Sequence, residues 1–189
     1  MQAYATVCTG ARLQGRERAG DLFAAIAWAR TQSWADTSRI TVAGWSHGGW
    51  TIIDALAMRS GAEMRRATGI TDLPTEPLEG VTSALLAYPY AGFATMAGRR
   101  DWRVTPHTVA ILAGRDYIVG WKKPRAALEA HRMRGAPIDI VFFENATHAF
   151  EDDGANDFRV RYDADATARE YTLLRDLIVA PSAPLSRAR

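Results

Sequence analysis

A single cysteine, Cys8, excludes an intrachain disulfide and any multi-cysteine metal cluster. The four histidines, His47, His107, His131 and His148, are scattered without the spacing of a ligand pair, so no metal is implied. No apolar run approaches the roughly 20 residues that a membrane-spanning helix needs. Met1-Gln2-Ala3-Tyr4 lacks the basic and apolar regions of a signal peptide. The formal charge of +2 comes from dispersed residues, and no basic run is suited to track nucleic-acid phosphates. There is no internal repeat and no low-complexity segment. These absences argue against nucleic-acid, membrane and cofactor partners and leave a small molecule as the expected one.

What remains has ordinary globular proportions. Hydrophobic residues make up 48% and charged residues 23% of 189, which suits one domain with one sizeable core. That domain is expected over residues 1–180, with 181–189 as a frayed tail. Leu22, Phe23, Ile26, Ala27 and Arg30 recur at helical spacing and predict an amphipathic helix over 16–34. Asp36-Thr37-Ser38 turns the chain into a strand at 39–43, and a helix follows at 49–59. Residues 60–80 hold three glycines and two prolines and predict an irregular surface excursion, with a second at 89–106. Apolar runs predict strands at 81–88, 108–113 and 138–143. Helices are expected at 121–134, burying Trp121, Ala127, Leu128 and Met133, and at 164–179, burying Tyr171, Leu174, Leu177 and Ile178. Near-continuous apolar strands separated by helices imply an α/β fold with a mostly parallel sheet flanked by helices.

The most informative segment is Gly44-Trp45-Ser46-His47-Gly48, directly after the β-rich run Arg39-Ile40-Thr41-Val42-Ala43. It reads as strand, abrupt turn and helix with a serine at the apex, the build of a G-x-S-x-G nucleophile elbow. Such a turn forces the serine into a sparsely allowed backbone conformation and projects its hydroxyl. The flanking glycines are expected to let helix and strand approach where a Cβ would collide.

A serine hydroxyl needs a base, and the base needs a carboxylate to fix its tautomer. His47 follows the serine, but in an elbow its ring leaves in another direction. Its backbone N–H is the useful part, as an oxyanion donor. His131 lies on a helix face and reads as solvated, while His107 precedes a strand at the edge away from the elbow. His148, in Asn145-Ala146-Thr147-His148-Ala149-Phe150, lies just beyond the C-terminal end of the last strand, where ligands collect in a parallel sheet. Asp116 leaves the strand 108–113 at that same edge. Asp101, Asp139, Asp152 and Asp153 are less well placed. Ser46, Asp116 and His148 therefore form the expected triad, in the chain order of an α/β-hydrolase sheet. Tyr88, Tyr90, Tyr117 and Phe150 lie near strand ends and are read either as substrate-pocket lining or as ordinary core and rim aromatics.

Gly44-Trp45-Ser46-His47-Gly48-Gly49, Leu112-Ala113-Gly114-Arg115-Asp116 and Thr147-His148-Ala149-Phe150 resemble the dienelactone hydrolase family of the α/β-hydrolases. So does Arg16-Glu17-Arg18-Ala19-Gly20-Asp21, which leads into a helix with Trp28. The likeness runs from about residue 10 to 179. It implies a serine hydrolase of small carboxylic esters or lactones that works through an acyl-enzyme. Founding members of the family use cysteine as nucleophile, whereas Ser46 stands here, which favours a general esterase or lactonase over dienelactone itself.

Only 45 residues precede Ser46, and they supply one helix and no defensible strand, whereas the fold places several strands before its elbow. An N-terminally shortened chain is therefore expected, one lacking a second oxyanion donor and poorly active alone. Two further readings stand beside the esterase: a prolyl oligopeptidase-like serine peptidase, which shares the triad order, and a catalytically impaired hydrolase fragment that only binds.

Overall fold

The structure is a computed structural model that describes residues 13–179. Helix α1 (Gly15–Ala29) leads to strand β1 (Ile40–Trp45), and helix α2 (His47–Ala57) starts one residue after the strand ends. A short helix α3 (Ala62–Thr68) precedes β2 (Val81–Ala87). Then come β3 (His107–Ala113), α4 (Lys122–Met133), β4 (Ile138–Phe143) and α5 (Ala164–Val179). The four strands pair in sequence order, all parallel.

Alternation along the strands divides the core into two layers. Ala84, Leu86, Ala110 and Leu112 face one cluster, which takes Phe23 and Ile26 from α1, Ile52, Ile53 and Leu56 from α2, and Leu128 from α4. Leu85, Ala87, Val109 and Ile111 face the other, closed by Phe143, Phe150 and, from α5, Ala166 and Leu177. Helices thus cover both faces, so β2 and β3 are apolar on both sides. β4 behaves as an edge strand, with Asp139 and Phe142 exposed. Among the described residues β1 pairs on one side only, with β2, and no strand precedes it.

Several expectations are corrected. The first helix stops at Ala29 instead of reaching 34: the chain turns there, and the Thr31 hydroxyl donates to the Trp28 carbonyl at 2.7 Å. β1 continues past 43 because its ladder with β2 persists through Gly44↔Leu86 and Trp45↔Ala87. The excursion at 60–80 contains α3, entered at Gly61 (φ 78°), capped by left-handed Gly69 (φ 72°) and anchored by buried Met64. Met133, Tyr171 and Ile178 are exposed, not buried. The inward stripe of α5 is instead Ala166, Thr167, Glu170 and Leu177. His131 is not solvated: it is 2% exposed and its ring stacks on Trp102, with centroids 4.7 Å apart. Burial, followed by the nearby Arg134 charge, pushes its pKa down to about 4 against the pull of Asp101. The tail 181–189 and Cys8 lie outside the described residues.

One charged residue ties the core together. Asp54, fully buried on α2, accepts hydrogen bonds from the Trp50 indole and from the Met96 backbone N–H, each at 2.7 Å. Burial pushes its pKa up to about 7 even though both bonds favour the charged form. The second excursion is thereby pinned to the helix that follows the elbow. Asp54→Ala orphans both donors, at a cost of about 1–3 kcal/mol each. A clear drop in the urea midpoint is expected, and an unchanged midpoint would contradict this role.

Candidate active site

The elbow forms as expected. Ser46 has φ 51° and ψ −112°, outside the regions open to most L-residues. Its N–H donates to the Ala87 carbonyl at 2.9 Å, and its own carbonyl accepts from Trp50 N–H at 3.1 Å and Tyr90 N–H at 3.3 Å. Three bonds to β2, α2 and the following loop therefore hold the strained residue. The two motif glycines play unequal parts. A Cβ on Gly44 would lie 2.5 Å from the carbonyl carbon and oxygen of Gly48, whereas one on Gly48 would meet nothing within 4 Å. The second close approach belongs to Gly49, whose Cβ would sit 2.7 Å from that of Pro89.

Two strand-end loops bring the other members. Gly114 N–H donates to Phe143 carbonyl at 2.8 Å and Arg115 N–H to Ala146 carbonyl at 2.9 Å, which joins the loop after β3 to the loop after β4. Gly114 is needed there, since a Cβ would fall 2.3 Å from the Glu144 carbonyl oxygen. Asp116 Oδ1 accepts from the backbone N–H groups of Ile118 and Val119, each at 2.9 Å, and Oδ2 faces His148 Nδ1 at 2.8 Å. His148 Nε2 lies 2.9 Å from the Ser46 hydroxyl oxygen. The three residues called from sequence thus form one continuous hydrogen-bonded line.

Protonation follows from the partners. The carboxylate fixes the proton on Nδ1, which leaves the Nε2 lone pair to accept from the serine. Burial works against ionisation of Asp116. The bond from the His148 ring, the histidine charge and the two N–H groups outweigh it and hold the carboxyl below its usual range.

His47 occupies the position expected of it. Its ring is buried, donates through Nε2 to the Leu13 carbonyl at 3.0 Å and packs on Trp50, away from the serine. Its backbone N–H is the first of α2, beyond reach of any carbonyl in that helix. Since no described strand precedes β1, the loop expected to give a second donor has no counterpart among the described residues.

The four aromatics divide. Tyr88 and Phe150 are 3% and 0% exposed, with the Tyr88 ring 4.6 Å from that of His148 and 5.6 Å from that of Phe150. Tyr90 is half-buried against Trp50, and Tyr117 is 75% exposed beside Asp116. Cavities of about 380 and 440 Å³ open elsewhere, and none of their lining residues belongs to the triad.

Sequence reasoning missed two carboxyls behind the site. The Tyr88 hydroxyl donates to Glu151, and the Trp45 indole, next to Ser46, donates to Glu170. The second oxygen of each carboxyl is buried without a partner. Burial, together with the Glu151 charge, pushes Glu170 up to about 7, against the Trp45 bond. The available signal was a glutamate on the apolar stripe of the closing helix.

The class defined by this fold and this arrangement is the α/β-hydrolase. Within it the chain belongs to the prolyl oligopeptidase family, whose sequence profile matches residues 7–166. That family was the second enzymatic reading from the sequence. No curated protein matches the chain. Among solved structures it is similar to a dienelactone hydrolase-like promiscuous phosphotriesterase from metagenomic libraries, at 22% identity and TM-score 0.65, covering 97% of this chain and 66% of that one. It is also similar to native esterase 2 of Thermogutta terrifontis (20% identity, TM-score 0.62, 93% of this chain and 69% of that one). A third is a carboxylesterase from Lactobacillus plantarum WCFS1 (19% identity, TM-score 0.60, 86% and 69%). The chain therefore spans about two thirds of the length of these structures, and at such identities the likeness is one of fold.

Two outcomes test the elbow and its surroundings. Gly44→Ala forces a backbone collision and should cost about 1–3 kcal/mol, whereas Gly48→Ala should be nearly neutral. Equal urea midpoints for the two variants would contradict the contact. Glu170 in the folded protein keeps its proton up to about pH 7, while the unfolded group loses it near 4.5. The wild type should therefore lose thermal stability relative to Glu170→Gln as pH rises from 4.5 to 7, since folding favours the protonated form in that window. A difference in Tm that is flat across that window would contradict the burial of this group.

Proposed function

We propose that the chain is a serine hydrolase that cleaves small carboxylic esters or lactones through an acyl-enzyme. The observation that carries this reading is the line Ser46 Oγ, His148 Nε2, His148 Nδ1, Asp116 Oδ2, with links of 2.9 and 2.8 Å. His148 takes the serine proton as Oγ attacks the acyl carbon. The imidazolium that forms is stabilised by Asp116 and then delivers the proton to the leaving alkoxide. The His47 N–H, at the positive end of α2, is placed to stabilise the oxyanion. A water molecule, deprotonated by the same histidine, releases the acid and restores Ser46.

The substrate class is inferred from chemistry and likeness together. A dienelactone hydrolase-like relation is supported by the motif residues and by the fold shared with the first of the solved structures. Tyr90 and Tyr117, the two aromatics with open surface near the triad, are proposed as substrate contacts. Tyr88 and Phe150 act from behind, by packing His148 in place.

A second reading, a serine peptidase, is favoured by the family match over residues 7–166. The two separate on substrate: p-nitrophenyl acetate and a small lactone against a p-nitroanilide of a short proline-containing peptide. Ester or lactone turnover should exceed anilide turnover. Ser46→Ala should abolish it, and Asp116→Asn should lower kcat by about 10³–10⁴ through the wrong histidine tautomer. Anilide cleavage without ester cleavage would replace the esterase with the peptidase. Ester turnover that survives Ser46→Ala would exclude both.

A further inference from the structure

At the opposite edge of the sheet from the triad, five arginines meet in one cavity of about 440 Å³: Arg59, Arg99, Arg100, Arg103 and Arg134, with Asp101 as the one acid in the lining. They come from three distant segments. Arg59 follows the end of α2, Arg99 to Arg103 belong to the excursion before β3, and Arg134 caps α4 just before β4. The triad lies beyond the C-terminal ends of the strands, whereas Arg99 to Arg103 and Arg134 lie on segments that lead into β3 and β4.

Their charges are not balanced internally. Arg100 pairs with Glu63, and Arg134 Nε with Asp101 at 2.5 Å. The guanidinium groups of Arg59, Arg99 and Arg103 have no hydrogen-bonding or ionic partner among the described residues. The convergence is built, not incidental to a loose surface. Arg103 N–H donates to the carbonyl of Leu56 in α2 at 2.6 Å, and Trp102 beside it is 4% exposed. Trp102 stacks on buried His131, whose Nδ1 is 3.2 Å from Arg134 Nη2. Trp102 Nε1 and His131 Nε2 are both buried without a partner. Clustered like charges repel one another, and an anion among them would relieve that repulsion.

We propose that this cavity is a binding site for a small, free polyphosphorylated anion, held by Arg59, Arg99 and Arg103. A guanidinium presents a planar fork that matches two phosphoryl oxygens at once, and three such forks in one concavity match adjacent phosphoryl groups. The remaining lining residues, Ala57 and Gly98, offer no large apolar side chain to enter a bilayer, which argues against a lipid headgroup. The cluster is one concavity and not a stripe along the surface, which argues against a nucleic-acid backbone. The site is independent of the hydrolase reading.

The test is calorimetric titration of the full chain with sodium tripolyphosphate at fixed ionic strength, with sodium chloride as the control. One-site saturable binding is expected, weakened about tenfold by each of Arg59→Gln and Arg103→Gln and unchanged by Ser46→Ala. The arginine side chains are exposed, so circular dichroism should report intact folds for the single variants. Absence of saturable heat with tripolyphosphate would overturn the proposal. So would equal affinity in both arginine variants, or binding only to vesicles that carry a phosphorylated lipid, or equal affinity for an acidic peptide.

Discussion

The collision avoided at Gly44 is the constraint on which the rest of the site depends. Because no Cβ stands there, the first turn of α2 lies against the last residues of β1, and one residue must make the whole reversal between them. That residue is Ser46, held at φ 51° by bonds to Ala87, Trp50 and Tyr90. The same closeness projects the serine side chain beyond the strand end and sets the first N–H of α2 beside it. The strain at Ser46, the direction of its side chain and the nearby free N–H of His47 all follow from one missing methyl group.

A parallel sheet then does the assembling. Because β1, β3 and β4 run in one direction, the residues that follow them emerge at one edge, and Ser46, Asp116 and His148 meet although His148 is 102 residues from Ser46. The loops are joined to each other and not left to chance: backbone bonds couple the Asp116 turn to the His148 turn. Behind them, Glu151 holds the Tyr88 ring against His148, and Glu170 holds Trp45 beside Ser46. Burial and the nearby Glu151 charge both raise the pKa of Glu170, so the fold favours its protonated form.

Much of this was legible in the residues themselves. Strands β2 and β3 announced themselves as unbroken apolar runs, and the elbow, Asp116 and His148 followed from turn chemistry at strand ends. What failed depended on partners distant in sequence. His131 read as a solvated helix residue because nothing local reveals that Trp102, in an excursion far earlier in the chain, covers it. Met133 and Tyr171 look like core by hydrophobicity, yet α4 turns Leu128 and His131 inward instead, and α5 turns in Glu170, which accepts from the distant Trp45 indole. The short α3 was hidden because its two boundary glycines also signal an irregular loop. The G-x-S-x-G spacing suggested two equivalent glycines, whereas packing demands Gly44 and Gly49 and leaves Gly48 free.

On the proposed chemistry, Ser46 is a nucleophile activated by His148. Intact-mass and peptide mass spectrometry after treatment with a fluorophosphonate tests it most directly, because covalent capture needs only the first step and no turnover. A single adduct on Ser46 is expected, absent in Ser46→Ala and formed far more slowly in His148→Ala. An adduct on another residue, or equal labelling of His148→Ala, would contradict it.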